Sequence, residues 1–376
     1  MVQVMGSGVD SLVLALDVVW KDRRFFDSVS GLKDRAILED KDCPGVVKYR
    51  KGKEKWLFSV RPYGIRGYEW FLASKEFKMR IGNWMEPTTR PSIMVEISSE
   101  SLWRIGPMEI FERVLDIIEE SGGMVKEAKI SRADLCIDMM LDSEEWRTIY
   151  DFDLEKEKHK SVVSRGKDCG MYWGGKGMKG ITVGKGQICA RIYDKPKEIK
   201  DISKKYWMYD IWGIKEIPKE KRIYRVEFQI RREVIKDLGA GEGGDFFMKI
   251  DEVWAYCTKK WLQMKDGYGK EHKLRKPLSW WEVVQEGFLG VQGARPAIRK
   301  KAIKVDEKQL RAQLMGLASS LTALTMEKRK VDVLNFKEIE PCMKAVIASQ
   351  KLQGYRLIEF KENVIRKRAK YSRSAK

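Results

Sequence analysis

The sequence predicts an α+β protein, mostly antiparallel sheet with packed helices, that ends in a basic, helical C-terminal extension. Three observations carry this. Short runs rich in aromatic and β-branched residues recur between Gly, Pro and Ser; a clear helical stripe separates two groups of such runs; and the last quarter turns basic and helix-forming. The length of 376 residues suits two or three domains at roughly 100–200 residues each. The expected division is an N-terminal α+β part over residues 1–125, a second α+β part over 126–285 carrying the polar strands described below, and the basic extension over 286–376 with a disordered tail.

The elements follow in order. Ser11 to Trp20 reads as a buried strand, and a polar, Asp/Lys-rich stretch runs on to about Arg50. Lys55–Val60, Gly67–Ala73, Phe77–Ile81 and Ile93–Ser98 are short strand candidates. Pro107 marks a helix start, and Ile110, Val114, Leu115, Ile117 and Ile118 form a stripe that stops at Ser121-Gly-Gly123. Ala128–Met140 is again strand-like. Tyr150–Cys169 is polar, and the glycine-rich run Gly170–Gly186 leads into a strand over Gln187–Lys195, stopped by Pro196. A helix is expected over Lys197–Trp212, a strand over Ile223–Arg231 and a helix over Met248–Met264. Beyond Lys276 come Trp280-Trp281, a basic linker at Arg295–Lys304, and helices over about Asp306–Met326 and Pro341–Gln353. No internal repeat is visible.

Composition removes several function classes. No apolar run reaches the ~18 residues that span a bilayer; the best, Leu12–Trp20, is broken by Asp17 and lacks the basic leader of a secretion signal. Six cysteines without a C-x-x-C pair argue against a zinc ribbon or disulfide scaffold and suit a reducing compartment, so a cytoplasmic protein is expected. Two histidines, His159 and His272, rule out a multi-histidine metal cluster and disfavour a histidine triad.

The net charge of +19 concerns partners rather than fold. Nucleic acid is the first candidate and an anionic membrane surface the second, but no basic helix shows the broad apolar face that membrane binding needs. Basic residues cluster late, in Arg295-Pro-Ala-Ile-Arg-Lys-Lys-Ala-Ile-Lys304 and Arg366–Arg373. Arg295, Arg299, Lys300 and Lys301 are therefore candidate DNA contacts. Several of the thirteen tryptophans adjoin a Lys or Arg (Trp20, Trp56, Trp103, Trp261) and could stack on bases, although core packing is the commoner use of such residues.

Three segments carry polar residues at period two. Arg132, Asp134, Cys136 and Asp138 share one strand face, with Ala133, Leu135 and Ile137 on the other. Arg191, Tyr193 and Lys195 share a face, as do Arg225, Glu227 and Gln229 opposite Val226, Phe228 and Ile230. If these strands are neighbours, one face holds two Asp, one Glu, one Tyr and several cations. Three carboxylates can hold a hard divalent cation, Mg²⁺ or Mn²⁺, with phosphate oxygens and water completing its shell. A tyrosine with Arg191 and Lys195 about 6–7 Å to either side could attack a phosphate, and the cations would neutralise charge on the pentacovalent phosphorus. The same alternation is also what any half-solvated antiparallel sheet displays. Gly170–Gly186 matches neither the dinucleotide fingerprint nor the P-loop; it reads as a flexible approach to a strand, with Lys185 as a phosphate contact.

Taken together, Ile130-Ser-Arg-Ala-Asp-Leu-Cys-Ile-Asp138, Gly184-Lys-Gly-Gln-Ile-Cys-Ala-Arg-Ile-Tyr-Asp-Lys-Pro-Lys-Glu198 and Tyr224-Arg-Val-Glu-Phe-Gln-Ile-Arg-Arg232 resemble the replication initiation factor family. These are rolling-circle initiators of plasmids and some phages, with related relaxases of conjugative elements. The likeness runs in order over roughly Gly8–Trp281.

The resemblance implies an enzyme that nicks one strand at an origin, stays joined to the 5′ end through a phosphotyrosine, frees a 3′-hydroxyl primer and rejoins strands at termination. It implies Tyr193 as nucleophile and Asp134 and Glu227 as metal ligands with Asp138 as a third; Arg191 and Lys195 are expected beside the tyrosine, and Arg132, Arg225 and Lys185 are expected among the DNA contacts. The stretch before Tyr193 is longer and richer in glycine than the family pattern, which makes Tyr172 a second candidate nucleophile. The expected partners are origin DNA, duplex and single-stranded, with a host helicase and a homodimer as further candidates and no membrane. The alternatives are a conjugative relaxase using the same chemistry and a non-catalytic DNA-binding protein on the same fold.

Overall fold

The computed structural model describes residues 2–142, 160–165, 168–174, 177–266, 275–290, 295–299 and 314. Two long strands organise it. β1 (Gln3–Trp20) and β7 (Gly123–Asp142) pair antiparallel along their whole length, from Gln3 opposite Met140 to Trp20 opposite Gly123, with register shifts at four places. On one side of this pair lie β6 (Ile93–Ile97), β5 (Phe77–Ile81), β4 (Trp70–Ala73), β3 (Glu54–Val60) and the edge strand β2 (Cys43–Tyr49). On the other lie β12 (Lys221–Arg231), β11 (Ile188–Asp194), β10 (Gly177–Val183) and β9 (Cys169–Gly174). Every pairing is antiparallel, giving one eleven-stranded sheet. The α+β expectation is met.

The order β6-β5-β4-β3 on one flank is repeated as β12-β11-β10-β9 on the other. Each half opens with its central strand and closes with the strand beside it. The sheet therefore contains a topological repeat that the sequence does not display. Such a repeat needs only the same alternation of apolar and polar positions, which many different residues satisfy. Residues 1–300 make one compact unit, and the expected boundary at 125 falls inside β7.

Ala133, Leu135 and Ile137 of β7 and Val226, Phe228 and Ile230 of β12 form one fully buried face. Trp254 packs edge-on against Phe228 at 5.4 Å. The helix over Pro107–Glu120 has Pro at its first position and buries Ile110, Phe111, Val114, Ile117 and Ile118. At 14 residues it is marginal alone in water. Five buried apolar side chains, each worth about 1.5–3 kcal/mol, hold it instead.

Several expectations are corrected. The polar stretch to Arg50 forms the helix α1 (Arg24–Leu38) and β2; α1 buries only Phe26, Val29 and Ala36, so its apolar stripe is thin. Gly170–Gly186 is mostly strand, β9 and β10, rather than a flexible loop. The expected helix over Lys197–Trp212 is broken into Lys195–Glu198, a π-type turn Ile199–Ser203 closed by Lys204 at φ +57°, and Met208–Trp212. Met248–Met264 likewise splits, ending in a strand β13 (Leu262–Asp266) that pairs with β8 (Lys160–Ser164) in a separate two-stranded sheet. Trp20, Trp56 and Trp261 are core residues rather than stacking platforms. Of the helices expected over 306–326 and 341–353 and of the basic tail, only Leu314, which is helical, is among the described residues. Among the described residues no helix is long and apolar enough to cross a membrane.

Candidate active site

The three polar strands are neighbours, β7 beside β12 beside β11, so their polar faces merge. Arg191 stands opposite Glu227 and Tyr193 opposite Arg225, while Gln229 faces Asp134 and Arg225 faces Asp138 across the next pair. The Tyr193 hydroxyl donates to Glu227 Oε2 at 2.9 Å. Arg191 donates to the other oxygen of Glu227 at 3.0 Å and to Gln229 Oε1 at 3.2 Å. On β7, Arg132 grips Asp134 through two hydrogen bonds, one of 2.8 Å. Arg132, Asp134, Arg191, Tyr193 and Glu227 line a cleft of about 720 Å³ that also takes in Asp10, Glu96, Lys197 and Lys205.

Burial, and after it the charge of Glu227, pushes the Tyr193 hydroxyl well above the ordinary tyrosine value. Burial also raises Asp134; the hydrogen bonds from Arg132 only partly oppose this, and the nearby charge of Glu227 adds to it. Asp134 and Glu227 are diagonal neighbours on adjacent strands, Glu227 standing opposite Cys136 and Asp134 opposite Gln229.

Four expected site residues are not where the pattern put them. Asp138 is fully buried. Its oxygens accept from Arg225 Nε and a second guanidinium nitrogen at 2.7 Å each, and from Trp212 Nε1 at 2.9 Å. Arg225, expected on DNA, is also fully buried and reaches Asp10 at 2.7 Å as well. Lys195 lies past the end of its strand, in the first helical turn capped by Asp194. It is buried, bonded to Glu198 at 2.6 Å, with its ammonium 5.6 Å from the Tyr193 ring centre. Arg299 is engaged by Asp237 at 3.0 Å and by Gln187 at 3.0 Å.

Lys185 and Arg295 are exposed. Tyr172 pairs by its backbone with Gly180; its side chain, like Lys300 and Lys301, lies outside the described residues.

Two residues escape the period-two reading. Asp10 sits at an irregularity of β1, where the register shifts between Val9 and Ser11. It accepts from Arg225, Ser99 at 2.8 Å and Trp103 at 3.2 Å, with Lys205 at 3.3 Å. Burial alone would raise Asp10, but Arg225 and Lys205 hold it far below the carboxylate range. Gly180 of β10 stands opposite Tyr193, and a Cβ there would come within 3.1 Å of the Tyr193 Cβ. An acid at a bulge and one glycine within a glycine-rich run leave no periodic signal; only the polar neighbours of Asp10 in space mark it.

Fold and cleft together define a large antiparallel-sheet protein with a tyrosine, two carboxylates and two arginines converging on one side. No family model and no curated protein matches the chain. Among solved structures, a rolling circle replication initiator protein from Geobacillus stearothermophilus is similar over 80% of this chain and 100% of its own, at 15% identity and a TM-score of 0.43.

Proposed function

We propose that the chain is a DNA strand transferase that starts rolling-circle replication by nicking one strand through Tyr193. The observation that carries this reading is the hydrogen bond from the Tyr193 hydroxyl to Glu227, made inside a cleft whose rim carries Arg191 and Arg132. Motif resemblance around Arg191-Ile-Tyr-Asp-Lys195 supports it. A phenol pushed above its ordinary value needs a proton acceptor at hand, and Glu227 is that acceptor.

The Tyr193 oxygen forms a bond to phosphorus as the bond from phosphorus to the 3′-oxygen breaks. The phenolic proton passes to Glu227, and the departing 3′-oxygen takes up a proton to become the primer hydroxyl. Arg191, bridging Glu227 and Gln229, orients the base and offers charge to the phosphate. The product is a phosphodiester, so a 3′-hydroxyl can reverse the step and rejoin a strand.

Among the described residues, no group of three His, Cys, Asp or Glu side chains is placed to hold a metal ion. Asp138, spent on Arg225 and Trp212, is not the third ligand. Two carboxylates, Asp134 and Glu227, nevertheless suit Mg²⁺ or Mn²⁺, which are commonly held by one or two carboxylates together with substrate phosphate and water. A bound cation would relieve the repulsion between these acids and polarise the phosphate.

The test is incubation with supercoiled plasmid carrying the chain's own gene and flanking sequence, plus Mg²⁺. Open circles with protein on the 5′ end are expected from the unaltered chain, and none from Tyr193→Phe. Protein-linked ends from Tyr193→Phe would overturn the reading.

A further inference from the structure

A second hollow, of about 490 Å³, adjoins the Tyr193 cleft and shares Asp194 and Lys197 with it. Its shape comes from the broken helix. The π-type turn ends at Lys204 in a left-handed conformation, so the chain reverses and Tyr206 N–H closes on Lys204 O at 2.8 Å. That reversal leaves Tyr206 56% exposed in the lining of the hollow. Tyr209 is half-buried beside it, its ring braced edge-on against Trp212 at 5.2 Å. Pro196, Pro218 and Ile217 supply apolar wall.

The charge on this wall is one-sided. Lys197, Lys200 and Lys219 line it, and none of the three has an ion-pair partner among the described residues. Arg222 stands with them, donating to the carbonyls of Lys219 and Lys221. Lys221 is engaged by Asp142 at 3.7 Å. The single acid in the lining is Asp194, which already accepts the Lys197 N–H at 2.9 Å as a helix cap. Lys197, Lys200 and Lys219 around an exposed aromatic ring supply the two components that hold single-stranded nucleic acid: charge for the backbone and a flat face for a base.

We infer that this hollow binds an unpaired stretch of DNA next to the strand that enters the Tyr193 cleft, with a base stacked on Tyr206 and backbone phosphates on Lys200 and Lys219. The inference rests on the strand-transferase reading, since it assigns the neighbouring nucleotides of the same substrate. It gives the enzyme a way to keep the nicking region melted, because a base held on Tyr206 cannot return to its partner.

The test uses the full chain carrying Tyr193→Phe, so that no covalent product forms, and a fluorescent oligothymidylate of about 12 nucleotides read by anisotropy. Added Tyr206→Ala should weaken binding roughly tenfold, and Tyr206→Phe should restore it. Lys200→Ala with Lys219→Ala should flatten the slope of log affinity against log salt by about 1.4, the release expected from two lost phosphate contacts on a single strand. Lys48→Ala, on the edge strand β2 at the far end of the sheet, should change neither. Tyr206→Ala binding like its parent, or an unchanged salt slope in the double lysine variant, overturns the inference. Failure of the strand-transferase reading would show separately, as absence of a covalent adduct from the unaltered chain while oligothymidylate binding still depends on Tyr206.

Discussion

Tyr193 and Glu227 sit on adjacent strands and share a hydrogen bond of 2.9 Å, while Arg191, directly opposite Glu227, holds the second oxygen of the same carboxylate. One acid thus orients both the tyrosine proposed as nucleophile and the cation beside it. Glu227→Gln keeps the size but cannot accept the phenolic proton as a base. The nicking rate should fall by roughly 10²–10⁴-fold, the range for loss of a general base, with DNA affinity little changed. A gel of 3′-labelled DNA linked to protein reads the first quantity and anisotropy the second. A full rate in Glu227→Gln would remove Glu227 from the proton transfer.

Asp134→Asn tests the metal. Asp134 accepts two hydrogen bonds from Arg132 and lies near Glu227 without touching Tyr193. Its loss should raise the Mg²⁺ or Mn²⁺ concentration needed for half-maximal nicking by at least the ~10–100-fold that loss of a supporting group costs. Nicking by the unaltered chain in excess chelator would show that no cation is used.

Gly180→Ala probes the support behind the nucleophile. A Cβ at Gly180 would lie 2.9 Å from the Ile192 carbonyl oxygen and 3.1 Å from the Tyr193 Cβ, both on rigid strand. The chain must shift there, and a misplacement near 1 Å can cost about 10²-fold in rate. A slow but folded Gly180→Ala, with circular dichroism unchanged, is the expected result; a normal rate would mean that β10 gives way without moving Tyr193.

Much of this arrangement was legible in the chain itself. The alternation at Arg132–Asp138 and Arg225–Gln229 announced two strands with one polar face, and the apolar residues between them required that face to be common. What alternation cannot reveal is which polar residues pair with one another. Asp138 and Arg225 have the same pattern as Asp134 and Arg132, yet the segment Met208–Trp212 covers the first pair and leaves the second lining the cleft. The Lys204 turn that places this cover is a tertiary decision. For the same reason α1 was hidden: three buried residues in fifteen give a stripe too thin to see.

The buried Arg225–Asp138–Asp10 cluster predicts a stability phenotype distinct from catalysis. Arg225→Met leaves Asp138 in the interior without a cation and Asp10 with Lys205 alone, and should cost about 3–5 kcal/mol in urea unfolding at pH 7. The pH dependence follows from Asp10, held below its ordinary value by Arg225 and Lys205 once burial is overcome. A depressed carboxylate contributes stability fully above its unfolded value of about 4 and loses it progressively as the pH falls below that. Asp10→Asn should therefore be less stable at pH 7 and show a shallower decline between about pH 4 and 2. Parallel acid profiles for the two proteins would show that Asp10 contributes nothing through its charge.

The segment after residue 300 carries eighteen Lys and Arg against eight Asp and Glu, about half of the net charge of +19. The strap before it is anchored: Ala297 N–H donates to Glu252 O at 3.1 Å and Arg299 pairs with Asp237. Cutting after Lys300 should therefore leave the sheet and cleft folded. If the removed charge meets phosphates, each lost contact lowers the slope of log affinity against log salt by about 0.9 on duplex DNA. The truncated chain should bind origin duplex more weakly at low salt, converge with the full chain at high salt, and still form the Tyr193 adduct on a single-stranded oligonucleotide. Equal slopes for the two chains would place duplex affinity on the sheet unit instead, where Lys185 and Arg295 are the exposed cations to replace next.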